Sequence, residues 1–334
     1  MTGTIRVGMI GVGGIAQGHV ERLLKLPEVE IVALADASEQ SLSNTLKSFQ
    51  DQIGQPQTFA DYRQMLETVK PDAVVICTPH TQHFQQAMDS LDAGAHVLLE
   101  KPMVNRVVEA HALLKKIDET KKVVGLAYQR HSLPQFRYIK EKIASGEFGP
   151  VQFVSALQQQ DYKKLTKGSW RQDPALSGGG QINDSGSHLL DIVLWTTGLA
   201  PEKVSAFMDF RDTPIDINSA LSIKFTNGAQ GNLSIVGDAA GWYEDITIWC
   251  ERGSFYVRNP NSTLQVQGTD GNLFTPEPFD MPAGSDVDTN FIHTILGTEE
   301  IAAAPINGLR TIELTEAAWE SAAAGGELTA VKWS

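Results

Sequence analysis

Short apolar runs alternate with helical spacing through the first 125 residues or so. Residues 5–10, 31–35, 73–77, 96–100 and 123–127 form apolar stretches of strand length. Between them, residues 15–26, 38–53, a short segment after Asp61, 82–93 and 107–120 repeat apolar positions at three and four residues, and Gly94 stops one of these helices. Runs such as Val74-Val75-Ile76 and Val97-Leu98-Leu99 are apolar on both faces, as strands are when helices cover a parallel sheet on both sides. The pattern predicts an α/β fold, a doubly wound parallel sheet of the Rossmann kind.

After about Tyr128 the pattern changes to strands that alternate polar and apolar residues. Leu221 to Phe225 and Leu233 to Ile235 flank the turn Asn227-Gly228, and Ile246 to Trp249 and Phe255 to Val257 flank Arg252-Gly253. These are hairpin signals, and the alternation predicts a mostly antiparallel sheet with one face on helices and one face open. Residues 309–324 read as a closing helix stopped by Gly325-Gly326, and residues 259–288 as the loosest stretch. The expected division is a nucleotide-binding domain at 1–125 and an α+β domain for substrate and oligomerisation at 126–334. A length of 334 residues suits two cores.

Composition narrows the classes. A net charge of −13 disfavours nucleic acid, whose phosphates need clustered Lys and Arg. No apolar stretch approaches the roughly 20 residues of a membrane span, and residues 1–6 run straight into the first strand, leaving no room for a signal peptide. Cys77 and Cys250 match no metal-ligand or redox spacing, so a reduced cytoplasm is the simplest location. His80 and His83 have no Cys or acidic neighbour at ligand spacing, and no metal is expected.

The first strand runs into Gly11-Val12-Gly13-Gly14-Ile15-Ala16 and then a helix, which is G-x-G-x-x-A in its proper context. Gly11 permits the tight turn, Gly13 admits a pyrophosphate, and Ala16 lets helix and strand pack closely. Asp36 ends the second strand, where a carboxylate accepts from ribose hydroxyls and repels a 2′-phosphate, and Ala37-Ser38 offers no arginine to hold one. NAD is favoured over NADP. Asp36 also suits the N-cap of the following helix.

Two further segments carry candidate chemistry. Glu100-Lys101-Pro102 closes a strand at the sheet edge where ligands bind, although a lysine there also reads as an ordinary surface cation. Pro102 favours an extended backbone at Lys101. In the glycine-rich stretch Gly178 to Asp191, Asp184 and His188 are four residues apart. If a helix includes both, they share a face and can act on one hydroxyl, the imidazole as base. A helix cap and a core histidine are the structural alternatives. Lys163, Lys164, Lys167 and Arg171 form a local basic cluster, either a solvated loop or a contact for an anionic substrate.

With these motifs in order, the chain resembles the glucose-fructose oxidoreductase, inositol dehydrogenase and MocA family nearly end to end. The resemblance rests on Gly11 to Ala16, Thr78-Pro79 with His83, Glu100-Lys101-Pro102, Arg130 before Pro134, Trp170-Arg171, and Gly178 to Asp191. It implies a sheet-mediated homodimer or homotetramer, with Lys101 beside nicotinamide and substrate, His188 as base and Asp184 supporting it; some members use a tyrosine instead. It further implies cofactor contacts from Gly11, Gly13, Gly14, Ile15, Asp36, Thr78, Pro79, His83, Glu100 and Lys101. Substrate contacts would come from Lys101, Tyr128, Arg130, Trp170, Arg171, Asp184 and His188. One departure is His80, where relatives commonly carry asparagine. The implied activity is hydride transfer between NAD and a hydroxyl-bearing carbon of a sugar, polyol or cyclitol. An NAD-using glycoside hydrolase or lyase of the same fold and a non-catalytic sugar sensor are the alternatives.

Overall fold

In the computed structural model, which describes residues 3–258 and 263–333, the chain divides into two compact units. The first takes the chain up to Val104, then Val108–Gln129 and Ser285–Ile306. Its strands are β1 (Ile5–Ile10), β2 (Val29–Ala35), β3 (Gln57–Phe59), β4 (Ala73–Ile76), β5 (His96–Leu99) and β6 (Val124–Leu126). They form one parallel sheet in the order β3-β2-β1-β4-β5-β6, the Rossmann order. The connecting helices are α1 (Gly14–Leu23), α2 (Glu39–Ser48), α3 (Tyr62–Val69), α4 (His83–Asp92) and α5 (Val107–Thr120). The edge strand β3 was not visible in the hydrophobic pattern because Gln57-Thr58-Phe59 contains no apolar run; it forms by pairing with β2.

The return of Ser285–Ile306 to this unit departs from the expected division at 125/126. The segment carries α10 (Val287–Leu296, numbered in chain order), and Asp286 caps it by accepting from the Asp288 and Thr289 amides. Val287, Phe291 and Ile292 are buried in a cluster with Val7, Met9 and Leu98. Truncating a fully buried phenylalanine costs about 3–5 kcal/mol, enough to hold a ten-residue helix to a core far away in sequence. A linear reading has no signal for which core takes such a helix.

The second unit contains Asn105–Val107, Arg130–Gly284 and Asn307–Ser334. It comprises α6 (Pro134–Ala144), β7 (Val151–Gln159), single-turn helices α7 (Tyr162–Leu165) and α8 (Pro174–Ser177), and α9 (Ser187–Thr197). Then follow β8 (Pro201–Asp209), β9 (Asn218–Phe225), β10 (Gln230–Val236), β11 (Tyr243–Cys250), β12 (Gly253–Arg258), β13 (Thr263–Gln267), β14 (Leu273–Phe274), α11 (Pro305–Ala323) and β15 (Thr329–Ala330). The sheet order is β14-β13-β12-β11-β7-β10-β9-β8-β15; only β7 and β10 pair in parallel. Both expected hairpins, β9–β10 and β11–β12, are present.

Strict alternation sets the two faces of this sheet. In β9, Leu221, Ile223 and Phe225 are buried while Ala220, Ser222 and Lys224 are exposed. The buried face packs with Phe136 and Ile139 of α6, Leu189, Leu190 and Val193 of α9, and Leu314 and Ala318 of α11. Residues 1–2 and 259–262 of the stretches discussed above lie outside the described residues. The rest of 259–288 is more ordered than expected, forming β13, β14 and the start of α10. No helix among the described residues is long and apolar enough to cross a membrane.

Candidate active site

In the first unit the glycine turn follows β1. Gly11 has φ +82°, and a Cβ there would meet Thr78 Cγ2 at 2.8 Å and the Cys77 carbonyl at 2.9 Å, so only glycine fits. Around Gly13 and Gly14 the space that a Cβ would enter is open to 4 Å. Gly13 is the N-cap of α1 with no side-chain cap bond, which leaves the helix N–H groups for an anion. Ile15 is 54% exposed at the start of that helix. These features fit a dinucleotide pyrophosphate.

Asp36 has a second duty that the motif does not reveal. Its Oδ2 accepts from the Val12 amide at 2.8 Å and its Oδ1 from the Ser38 amide at 2.8 Å. The carboxylate thus braces the glycine turn from the end of β2. The α2 cap is Ser38, whose side chain accepts from the Ser41 amide, not Asp36.

Glu100, Lys101 and Pro102 follow β5. The Lys101–Pro102 bond is cis, which the sequence did not signal. Lys101 is half-buried, and its backbone amide donates to Glu100 Oε2 at 3.1 Å. Glu100 Oε1 lies 3.1 Å from His19 Nε2. Burial pushes the Glu100 carboxyl up, but the hydrogen bond and charge of His19 outweigh it and hold the group below its ordinary value. His83 is wholly buried, with Nδ1 2.7 Å from Pro102 O and Nε2 2.9 Å from Thr78 O. Burial lowers its pKa, and the hydrogen bonds to the Pro102 and Thr78 carbonyls work against that fall. His83 therefore ties the Thr78-Pro79 turn to Pro102, with both ring nitrogens taken by backbone carbonyls. Thr78 Oγ1 donates to Gln86 Oε1. Tyr128 is buried just beyond β6.

The second unit holds the other candidates. Arg130 sits in a 3₁₀ turn with Nη2 2.7 Å from Glu244 Oε2 of β11, both groups nearly buried. Burial raises the Glu244 carboxyl pKa, and the Arg130 charge works against that rise. The expected substrate contact at Arg130 is thus a residue already engaged in an ion pair.

Asp184 is not in a helix with His188. The helix α9 starts at Ser187 with Gly186 as N-cap, and Asp184 lies in the preceding turns. The cause is Asp216: its Oδ2 accepts from the Ile182 amide at 2.9 Å, its carbonyl accepts from the Gln181 amide at 2.9 Å, and it also takes bonds from the Gly180 amide and the Trp319 side chain. A Cβ at Gly180 would come within 2.4 Å of Asp216, so the glycine permits this close packing. The turn delivers the Asp184 carboxylate to Tyr162, whose hydroxyl donates to Oδ2 at 3.0 Å, and to Arg171, whose Nε donates to the same oxygen at 2.9 Å. Burial and the adjoining Asp184 charge raise the Tyr162 pKa far above its ordinary value, so the phenol is a fixed donor. The Arg171 guanidinium stacks over Trp170 at 4.4 Å. His188 is half-buried in the first turn of α9. Of the basic cluster, Lys164 and Lys167 are exposed, Lys164 lying 3.8 Å from Asp161.

Sequence reasoning missed His19, Tyr162, Asp216, Glu244 and Asp288. Tyr162 stands directly before the lysine pair that drew notice, but its role depends on a turn whose course only packing fixes.

The comparisons with known proteins agree with this geometry. Residues 5–128 match the family model described as "Oxidoreductase family, NAD-binding Rossmann fold", and residues 136–256 match the "GFO/IDH/MocA C-terminal domain". An uncharacterized oxidoreductase of Bacillus subtilis, YrbE, is 24% identical over 81% of this chain and 79% of its own. D-glucoside 3-dehydrogenase of Escherichia coli is 25% identical over 60% of this chain and 56% of its own. The solved levoglucosan dehydrogenase in complex with NADH and levoglucosan aligns with a TM-score of 0.86 at 19% identity, covering 98% of this chain and 99% of that one. With the nucleotide turn, the lysine-bearing strand end and both family models in hand, this chain belongs to the GFO/IDH/MocA family and is an NAD-binding oxidoreductase.

Proposed function

We propose that the protein is an NAD-dependent dehydrogenase that oxidises a hydroxyl-bearing carbon of a sugar, polyol or cyclitol, or runs the reverse reduction. The observation that carries this reading is the Lys101 turn, fixed through Glu100 and through His83 at the carboxyl edge of the NAD-binding sheet. Relatives that act on sugars, D-glucoside 3-dehydrogenase and levoglucosan dehydrogenase, supply the substrate class.

Bound NAD would supply the hydride acceptor. Gly13, Gly14, Ile15 and the α1 N-terminus would hold the pyrophosphate, and Asp36 would accept from the ribose hydroxyls and disfavour a 2′-phosphate. Thr78, Pro79 and Glu100 line the cofactor side. Lys101 stabilises negative charge developing on the substrate oxygen, a fixed electrostatic contribution of the kind that dominates many reactions. His188 takes the hydroxyl proton, the general-base role for which an imidazole is suited. Asp184, whose Oδ2 accepts from Tyr162 and Arg171, supports that histidine. Tyr128, Arg130 and Trp170 shape the substrate side. Two or four copies associate through the exposed face of the second sheet, where Phe153 and Trp249 meet edge to face at 5.7 Å.

The test is purified protein with NAD or NADP against a panel of sugars, inositols and polyols, following absorbance of the reduced nicotinamide. Turnover with NAD supports the reading. Substrate consumed without net NADH would instead favour the hydrolase or lyase cycle, which regenerates its cofactor. No turnover at all, with NADH still bound, would leave a sensor.

A further inference from the structure

One buried ionic cluster in the first unit is not used by the chemistry above. His19, on the buried face of α1, places Nε2 3.1 Å from Glu100 Oε1 and Nδ1 2.7 Å from Asp288 Oδ1. Asp288 Oδ2 in turn accepts from Arg22 Nε at 2.6 Å. His19 and Asp288 are essentially inaccessible to water. The groups facing the ring are Arg22 from α1, Cys77 at the end of β4, Glu100 and its neighbour Lys101 at the end of β5, and Asp288 from α10.

Donor and acceptor counting assigns the ring's charge. An ionised carboxylate can only accept, and Arg22 donates to Asp288 while the Lys101 amide donates to Glu100. Meeting both carboxylates at once takes N–H at both nitrogens, the imidazolium, even with the Arg22 Nη2 donor 3.3 Å from Nδ1. Burial disfavours that charge, but Cys77, Asp288 and Glu100 outweigh it and raise the His19 pKa well above the ordinary 6.5.

The connectivity is directional. From Asp288 the chain of bonds runs through His19 to the Glu100 carboxylate and ends on the backbone N–H of Lys101. On the other flank of the same turn, His83 holds the Pro102 carbonyl. The backbone carrying Lys101 is therefore gripped on both sides, through two buried histidines. A purely structural ionic cluster would be replaceable by apolar packing of the same volume. This one terminates on the turn that must deliver an ammonium to within a fraction of an ångström.

We propose that His19 is a positioning residue for Lys101, an imidazolium that fixes the Glu100 carboxylate and through it the Lys101 backbone. The proposal rests on the reading of Lys101 as a catalytic residue. It predicts an asymmetry between two substitutions. In His19→Gln the amide nitrogen stands in for Nε2 and keeps the bond to Glu100; in His19→Asn it stands in for Nδ1 and keeps only the bond to Asp288.

The experiment compares wild type, H19Q and H19N by three measurements: kcat and KM on the substrate found in the panel, NADH affinity by fluorescence, and hydrogen exchange at the Lys101 amide by NMR. H19N should lower kcat by about 100-fold, as small misplacements of catalytic groups do, with KM and NADH affinity changed by less than about 3-fold. H19Q should recover most of that loss, and protection of the Lys101 amide should fall in H19N and persist in H19Q. Equal losses of activity and of amide protection in both variants, or full activity in both, would overturn the proposal. If the wild type turned over no substrate, the dehydrogenase reading would fail by itself. The Lys101 amide, and the nitrogen shifts of His19 reporting two N–H groups above pH 7, would still decide whether His19 is the clamp.

Discussion

The two units build their candidate sites by opposite means. In the first, the nucleotide turn is made by backbone: Gly11 turns, Gly13 and Gly14 leave space, and a carboxylate at the end of the next strand braces the loop across 24 residues of sequence. In the second, the key carboxylate Asp184 has no such motif. It is set by a tyrosine hydroxyl from the single-turn helix α7 and an arginine from a 3₁₀ turn, on a turn held by a buried aspartate from a loop. A site made of backbone geometry has short, recurring requirements. A site made of side chains reaching from loops can be assembled in many ways and leaves no fixed spacing.

Substitutions at the reacting groups should produce the largest effects and test whether both units contribute chemistry. Lys101→Ala and His188→Ala are each expected to lower kcat/KM by about 10²–10⁴-fold with NADH affinity retained, measured by steady-state kinetics and fluorescence titration. If either left the rate intact, that unit would be a scaffold only.

The braces should separate next. Asp216→Ala strands the Ile182 amide and the Trp319 side chain without their acceptor, and chemical denaturation should show a loss of about 3 kcal/mol. Asp36→Ala likewise leaves the Val12 and Ser38 amides unpaired, and calorimetry should find NAD binding weakened by about tenfold, with no matching loss of kcat at saturating cofactor. An equal loss of stability and of NAD affinity in both variants would erase the distinction between the units.

Tyr162→Phe removes one of two donors to Asp184, a neutral hydrogen bond worth about 1 kcal/mol, so kcat should fall by about fivefold while the melting temperature barely moves. The smallest effect is one of pH. The Glu100 carboxyl is held below its ordinary 4.5 in the folded protein, so its contribution to stability is present above that value and is lost as pH falls through the folded-state value. The His19 contribution is of opposite sense: its raised pKa gives stability that is complete below 6.5 and is lost as pH rises through the folded-state value. Denaturation curves from acid to mildly alkaline pH should show both limbs in the wild type and only a weakened acid limb in H19Q.

Much of the first unit was legible. Val74-Val75-Ile76 and Val97-Leu98-Leu99 declared a parallel sheet, and Gly11 to Ala16 declared its ligand, because both demands act on contiguous residues. The hairpins around Asn227-Gly228 and Arg252-Gly253 were legible for the same reason. Less was legible at Asp184, where a four-residue spacing to His188 suggested one helical face and the Asp216 anchor ended the helix at Ser187 instead. Nor did the sequence separate the two histidines near the Lys101 turn: His83 attracted attention through a motif, and His19, inside an amphipathic helix, did not.

What the sequence alone determined is the element order, the two sheet types, the nucleotide turn and the position of Lys101 at a strand end. Periodicity, glycine conformation and strand ends are local, so neighbouring residues suffice to specify them. Only the tertiary structure decided that Ser285–Ile306 rejoins the first unit, that Asp184 is met by Tyr162 and Arg171, and that His19 lies between Glu100 and Asp288. Each of these depends on burying polar groups against partners as far as 269 residues away, as His19 and Asp288 are. A buried charge needs a partner, but nothing in the local chain says which one it finds.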